Sequence, residues 1–173
     1  MKMKIVLLVL LAALPMMGSD CVNSGFSVAI NLGKLNGCYP LTAGTQTTYT
    51  GNAPAIDPTT LYDNSYSLTG ASVYDIKVST SGPDLGTISN GVVTVNGTPA
   101  LRYSGTWAAF NTPQSLLTSP LIQRDTTGLK VLINAVLTKQ LVTLGSSGSV
   151  SASSVPAGCS ICIEADVQAI GQL

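Results

Sequence analysis

A chain of 173 residues with 45% hydrophobic and only 9% charged residues is too apolar to stay disordered and long enough for one domain with a real core. Eight basic residues balance eight acidic ones, and the basic ones stand singly along the chain, so no patch could neutralise a run of phosphates and nucleic-acid binding is set aside. Histidine is absent, which removes the commonest general base, the usual metal ligand, and the serine-histidine and cysteine-histidine pairings together.

Lys2 and Lys4 precede an apolar run over residues 5–17, and Gly18-Ser19-Asp20 follows it. That order is the order of a secretory signal peptide. The run falls well short of the roughly twenty residues needed to span a bilayer, so no membrane span is expected. The reading is a signal peptide over 1–19 and a single secreted domain over 20–173. Without the leader, six basic and eight acidic residues remain, a formal charge of −2. Cys21 stands where a lipoprotein cysteine would, but Asp20 occupies the position where such signals need a small residue. Solubility rests on uncharged groups, nineteen Ser and nineteen Thr with 17 Gly, a surface suited to side-by-side packing or to sugar contact.

Beyond the leader, Phe26, Val28, Ile30 and Leu32 alternate with Ser27, Ala29 and Asn31, which predicts a half-buried strand. Residues 42–63 predict a weak strand near 47–50 and then a loop. Over residues 72–79, Tyr74, Ile76 and Val78 share one side and Asp75 and Lys77 the other, a second amphipathic strand. Asn90-Gly91 and Asn96-Gly97 flank Val92-Val93-Thr94-Val95, and this dipeptide suits the two-residue turn of a hairpin. A meander is therefore predicted, ending in a strand over 99–103, with Trp107 and Phe110 filling the core nearby.

Residues 129–144 fit two periods. As a strand, Leu129, Val131, Ile133, Ala135 and Leu137 face one way; as a helix, Leu129, Leu132, Ile133, Val136, Leu137, Leu141 and Leu144 share a face, with Asp125 or Thr127 near the start and Gly145 as the stop. The density of β-branched residues favours the strand. Residues 145–158 read as a Ser- and Gly-rich loop, and Ile161, Ile163, Ala165, Val167 and Ala169 then alternate in a terminal strand. Short strands at regular spacing predict an all-β fold, a single antiparallel sandwich, Ig-like or pilin-like, with room for one short helix.

Four cysteines, Cys21, Cys38, Cys159 and Cys162, make an even set and predict two disulfides in an exported chain. An extended strand holds residues i and i+3 about 10 Å apart, which favours bridges from the N-terminal region to the C-terminal one. The alternative is two local loops. Cys159-Ser160-Ile161-Cys162 has the spacing of a redox pair, but no βαβ pattern surrounds it.

Carboxylate chemistry would draw on Asp57, Asp63, Asp75, Asp84, Asp125, Glu164 and Asp166, and no spacing among them singles out an acid and base pair. Glu164 and Asp166 share a strand face, which reads as a solvated face. Residues 57–64 could offer oxygen ligands to calcium, and an ordinary Asx turn explains them as well. No metal or cofactor is expected. Asn96-Gly97-Thr98 is a candidate glycosylation sequon at a hairpin tip.

These features lead to a structural subunit of an extracellular fibre, not an enzyme, with copies of itself as partners and Phe26, Val28, Ile30 and Leu32 as the assembly strand within a donated or N-terminal segment 22–33. The architecture looks like that of fimbrial subunits, although no diagnostic motif carries the likeness. The alternative is a monomeric secreted adhesin or a module binding carbohydrate or a cell surface. Its stacking platforms would come from Tyr49, Tyr62, Tyr66, Tyr74, Tyr103 and Trp107.

Overall fold

Residues 27–61 and 67–172 are described by a computed structural model. They form β1 (Ser27–Pro40), β2 (Thr48–Asn52), a 3-10 turn (Pro58–Leu61), β3 (Ser67–Ser81), β4 (Thr87–Val95), β5 (Thr98–Thr106), α1 (Trp107–Phe110), β6 (Gln114–Ser115), β7 (Ile122–Arg124), α2 (Thr126–Leu137), β8 (Leu144–Val150) and β9 (Ser160–Gln172). Every strand pairing is antiparallel. A first sheet runs β1-β9-β3-β6, and a second runs β2-β8-β4-β5-β7. The chain is an all-β sandwich with one substantial helix.

Alternation decides which faces meet. In β9, Ile161, Ile163, Ala165, Val167 and Ala169 are buried and Ser160, Cys162, Glu164 and Asp166 lie on the other side. In β1, Leu32, Leu35 and Tyr39 are buried against the same core. The second sheet contributes Tyr49, Val93, Val95, Leu101, Tyr103 and Leu144 to that cluster, and Trp107 and Phe110 are wholly enclosed in it. One contiguous core follows, with side chains of both sheets in it.

Between residues 129 and 144 the strand expectation gives way to α2. Asp125 settles the choice: its carboxylate accepts from the Thr127 backbone N–H at 3.0 Å, capping the helix start. Leu129, Leu132, Ala135 and Val136 are then buried on one face. The helix stops well before Gly145. Lys139 takes a left-handed conformation (φ 56), and the Lys139 and Gln140 N–H groups donate to the Val136 and Ala135 carbonyls at 3.2 and 2.8 Å, a Schellman-type end. α2 packs on β3 of the first sheet and on β4 and β5 of the second, so it bridges the two layers.

The Ser- and Gly-rich stretch expected as loop is also corrected over its first half, where β8 lies between β2 and β4. Small residues are needed there. A side chain on Gly148 would collide with the Tyr49 ring, and one on Gly145 would collide with Asn52 and Thr94. Asn96-Gly97 does make the tight β4-β5 turn, with φ of 48 and 80. Asn90-Gly91 does not turn the chain. It forms a bulge inside β4, between Ile88 and Gly91, where Asn90 has φ 53.

Candidate functional site

Cys38 and Cys162 sit directly opposite each other in the β1-β9 ladder and are joined by a disulfide across 124 residues of sequence. This is a bridge from the N-terminal region to the C-terminal one. Cys159 is buried with a free thiol, its Sγ 3.7 Å from the Pro83 carbonyl oxygen, and burial raises its pKa. The local Cys159-Cys162 loop and the redox pairing are thereby excluded. Cys21 lies outside the described residues.

The bridge stands on the outer face of the first sheet beside four charges in register. Lys34 meets Glu164 at 2.9 Å, and Lys77 reaches Glu164 at 3.3 Å and Asp166 at 3.4 Å. Hydrogen bonding to Lys34 holds the Glu164 carboxyl below its usual range, and Lys77 adds to that effect. The Lys77 ammonium is raised in return, chiefly by Glu164. Both carboxylates therefore serve as partners to lysines, and Glu164 is unsuited to shuttling a proton near neutrality. Asp75, opposite Asp166 in the ladder, is buried, and its Oδ1 has no hydrogen-bond partner among the described residues.

The remaining carboxylates cap local structure. Asp57 accepts from the Thr59 N–H at 2.9 Å and the Thr59 hydroxyl at 2.7 Å, bonds that lower its pKa. That is the Asx turn, starting the 3-10 segment; Asp63 and Asn64 lie outside the described residues. Asp84 accepts from Gly86 N–H at 2.8 Å. No group of three or more metal-ligating side chains occurs among the described residues. Asn96 is committed as well. Its amide donates to the Leu141 carbonyl at 3.1 Å and accepts from the Thr143 N–H at 2.7 Å, tying the hairpin tip to the segment before β8.

Most of the aromatic platforms expected from the sequence are inside. Trp107 is wholly buried, with its Nε1 unpartnered among the described residues, so it cannot stack on a ligand. Tyr49 and Tyr103 are buried too, their hydroxyls 2.8 Å apart, and Tyr103 also bonds the Ser146 hydroxyl at 2.7 Å. Tyr74 is different, at 60% exposure on the first sheet. Tyr62 and Tyr66 fall outside the described residues.

Of the expected assembly strand, Phe26 lies outside the described residues, Val28 and Ile30 pair with Gly171 and Ala169 of β9, and Leu32 is buried in the core. The segment is thus strand β1 of its own domain. It is also an edge strand, since β9 is its one ladder partner among the described residues. Among the described residues, β3 leaves a second side largely open. β9 pairs along its whole length, while β6 pairs with Lys77 and Val78 alone. Residues 27–33 and 67–73 contain neither charge nor proline, two of the devices that blunt sheet edges, although each segment carries a bulge, after Asn31 in β1 and between Leu68 and Gly70 in β3.

With this geometry, the described residues define a disulfide-bridged antiparallel sandwich with two uncharged edge segments on one sheet. No family model, curated protein or solved structure matches the chain.

Proposed function

We propose that the chain is a secreted structural subunit of an extracellular fibre, a fimbria or matrix filament, that associates with its own copies by adding strand to strand. The observation that supports this most is the pair of uncharged edges on one sheet, residues 27–33 of β1 and 67–73 of β3, which have no further ladder partner among the described residues. Unpaired N–H and C=O groups along such an edge are a template for another strand. Because the first strand is paired within its own sheet, the assembly is edge to edge, and one copy's β1 edge meets the next copy's β3 edge. A head-to-tail contact of that kind is heterologous, and it propagates as a filament when the rotation between copies does not close into a ring.

The disulfide agrees with an oxidising compartment, and no described helix is long and apolar enough to cross a membrane. A secreted adhesin or carbohydrate-binding module is the alternative; with Trp107 buried, it rests on the outer face of the first sheet.

Electron microscopy and sedimentation of the purified chain test the fibre. Filaments are expected, and they should be lost in Ala29→Lys and in Thr69→Lys, which place a charge on each edge. A strictly monomeric protein at high concentration, or filaments indifferent to both substitutions, would refute the reading.

A further inference from the structure

The outer face of the first sheet carries a groove of about 480 Å³ that crosses β1, β9 and β3, within the roughly 300–1,000 Å³ of small-ligand sites. Strand register explains its walls. Asn31, Gln168 and Ser72 are aligned partners across the three strands, and Ala29, Ile170 and Gly70 form a second aligned row. Between them runs the row Ile30, Ala169 and Ala71, whose side chains point to the other face and whose backbone makes the floor. Three bulges flank the groove, after Asn31 in β1 and at Leu68/Gly70 and Val73/Asp75 in β3. Bulges bend strands and re-aim side chains, which turns a flat face concave.

The lining selects the ligand. One wall consists of two amides and a hydroxyl, all able to donate and accept, and the other consists of small or aliphatic groups. None of the nine lining residues is charged, so an anionic or cationic ligand would lose its hydration without a counter-charge. An added β-strand is excluded as occupant, because the floor backbone is already paired on both sides of β9. The Asn31 Oδ1 accepts from the Gly33 N–H at 2.9 Å, and a purely apolar ligand would cover the Asn31 NH2, the Gln168 amide and the Ser72 hydroxyl without offering them a partner. Tyr74 stands two residues beyond Ser72 on the same strand, the one described tyrosine with a largely open ring.

We propose that this groove binds a neutral oligosaccharide: its hydroxyls bond to Asn31, Gln168 and Ser72, its C–H face lies on Ile170, and the neighbouring sugar stacks on Tyr74. The site does not depend on fibre formation, and in a fibre it would repeat along the length, making the filament adhesive.

The test uses fluorescence polarisation with labelled hexamers of glucose, mannose and N-acetylglucosamine, at protein concentrations below those that give filaments. At least one hexamer should bind saturably, with affinity reduced about fivefold in Gln168→Ala, the effect of losing one net hydrogen bond of about 1 kcal/mol. Tyr74→Ala should weaken it too. These side chains lie outside the core, so unchanged Trp107 fluorescence is the check that each variant is folded. The proposal is overturned if no hexamer binds, if binding is equal in wild type and Gln168→Ala, or if both substitutions alter self-association alone, which would make the groove a contact between copies. Filaments without sugar binding would remove the groove and leave the fibre; sugar binding by a strict monomer would do the reverse.

Discussion

A side chain on Gly128 would run into the Pro99 carbonyl and the Ala100 Cα of β5. The glycine is therefore what lets α2 lie so close to the strand, and the obstacle is backbone, which no rotamer change can move aside. In an exposed helix, Gly→Ala stabilises by about 1 kcal/mol. Here overpacking, typically about 1–3 kcal/mol, opposes that gain and exceeds it, so Gly128→Ala is expected to lower the urea midpoint. A raised midpoint would show that α2 shifts without penalty. At the other end of the helix, Lys139 occupies the left-handed position where glycine is common. Its conformation is held by the two backbone bonds to Val136 and Ala135.

At the scale of elements, β9 is the central organiser. It pairs with β1 on one side and β3 on the other, and the disulfide locks β1 to it at Cys162. The bridge closes most of the chain into a loop, and restricting the unfolded state in this way contributes about 2–4 kcal/mol in typical cases. A Cys38→Ser, Cys162→Ser double variant is expected to fold, since the ladder is intact on either side, but to unfold at lower urea by about that amount. An equal midpoint with and without the bridge would mean that the unfolded chain is already compact near these residues.

The strands β1 and β9 and the 76–78 part of β3 were legible in the sequence because a half-buried strand must alternate. Tyr74, expected on the face of Ile76 and Val78, instead lies exposed and Asp75 buried, because the bulge between Val73 and Asp75 breaks the alternation. β8 was not, because its Gly and Ser residues look like loop until the partners are known: Tyr49, Asn52 and Thr94 fill the space that its side chains leave. α2 was ambiguous for a different reason. Leu129, Leu132, Val136 and Leu137 satisfy one period and Leu129, Val131, Ile133 and Ala135 the other, and only the Asp125 cap separates them. The bulge at Asn90 was hidden because an Asn-Gly pair with positive φ serves a turn and a bulge equally. The groove was out of reach of single-strand reading altogether, since Asn31, Ser72 and Gln168 meet only once three distant strands are in register.

For the whole molecule, the sandwich holds a layer of phenols between its sheets. Tyr39 comes from β1 of the first sheet, and Tyr49 and Tyr103 come from β2 and β5 of the second. Burial is the main cause that raises the pKa of all three, with Tyr103 adding to the effect on Tyr39 and Tyr49 adding to that on Tyr103. In the unfolded chain these groups ionise near 10.0. Below that pH both states keep the protons, and the layer's contribution is constant. Above it the unfolded chain releases protons that the native state retains, so stability falls as pH rises. An ultraviolet titration is therefore expected to show no phenolate from Tyr39, Tyr49 or Tyr103 until the chain unfolds, and Tyr103→Phe should leave the reversible part of the curve unchanged. The same variant strands the Tyr49 and Ser146 hydroxyls that Tyr103 bonds and should cost about 1–3 kcal/mol. A reversible phenolate signal that disappears in Tyr103→Phe would show that the two sheets part enough to admit water while the fold persists.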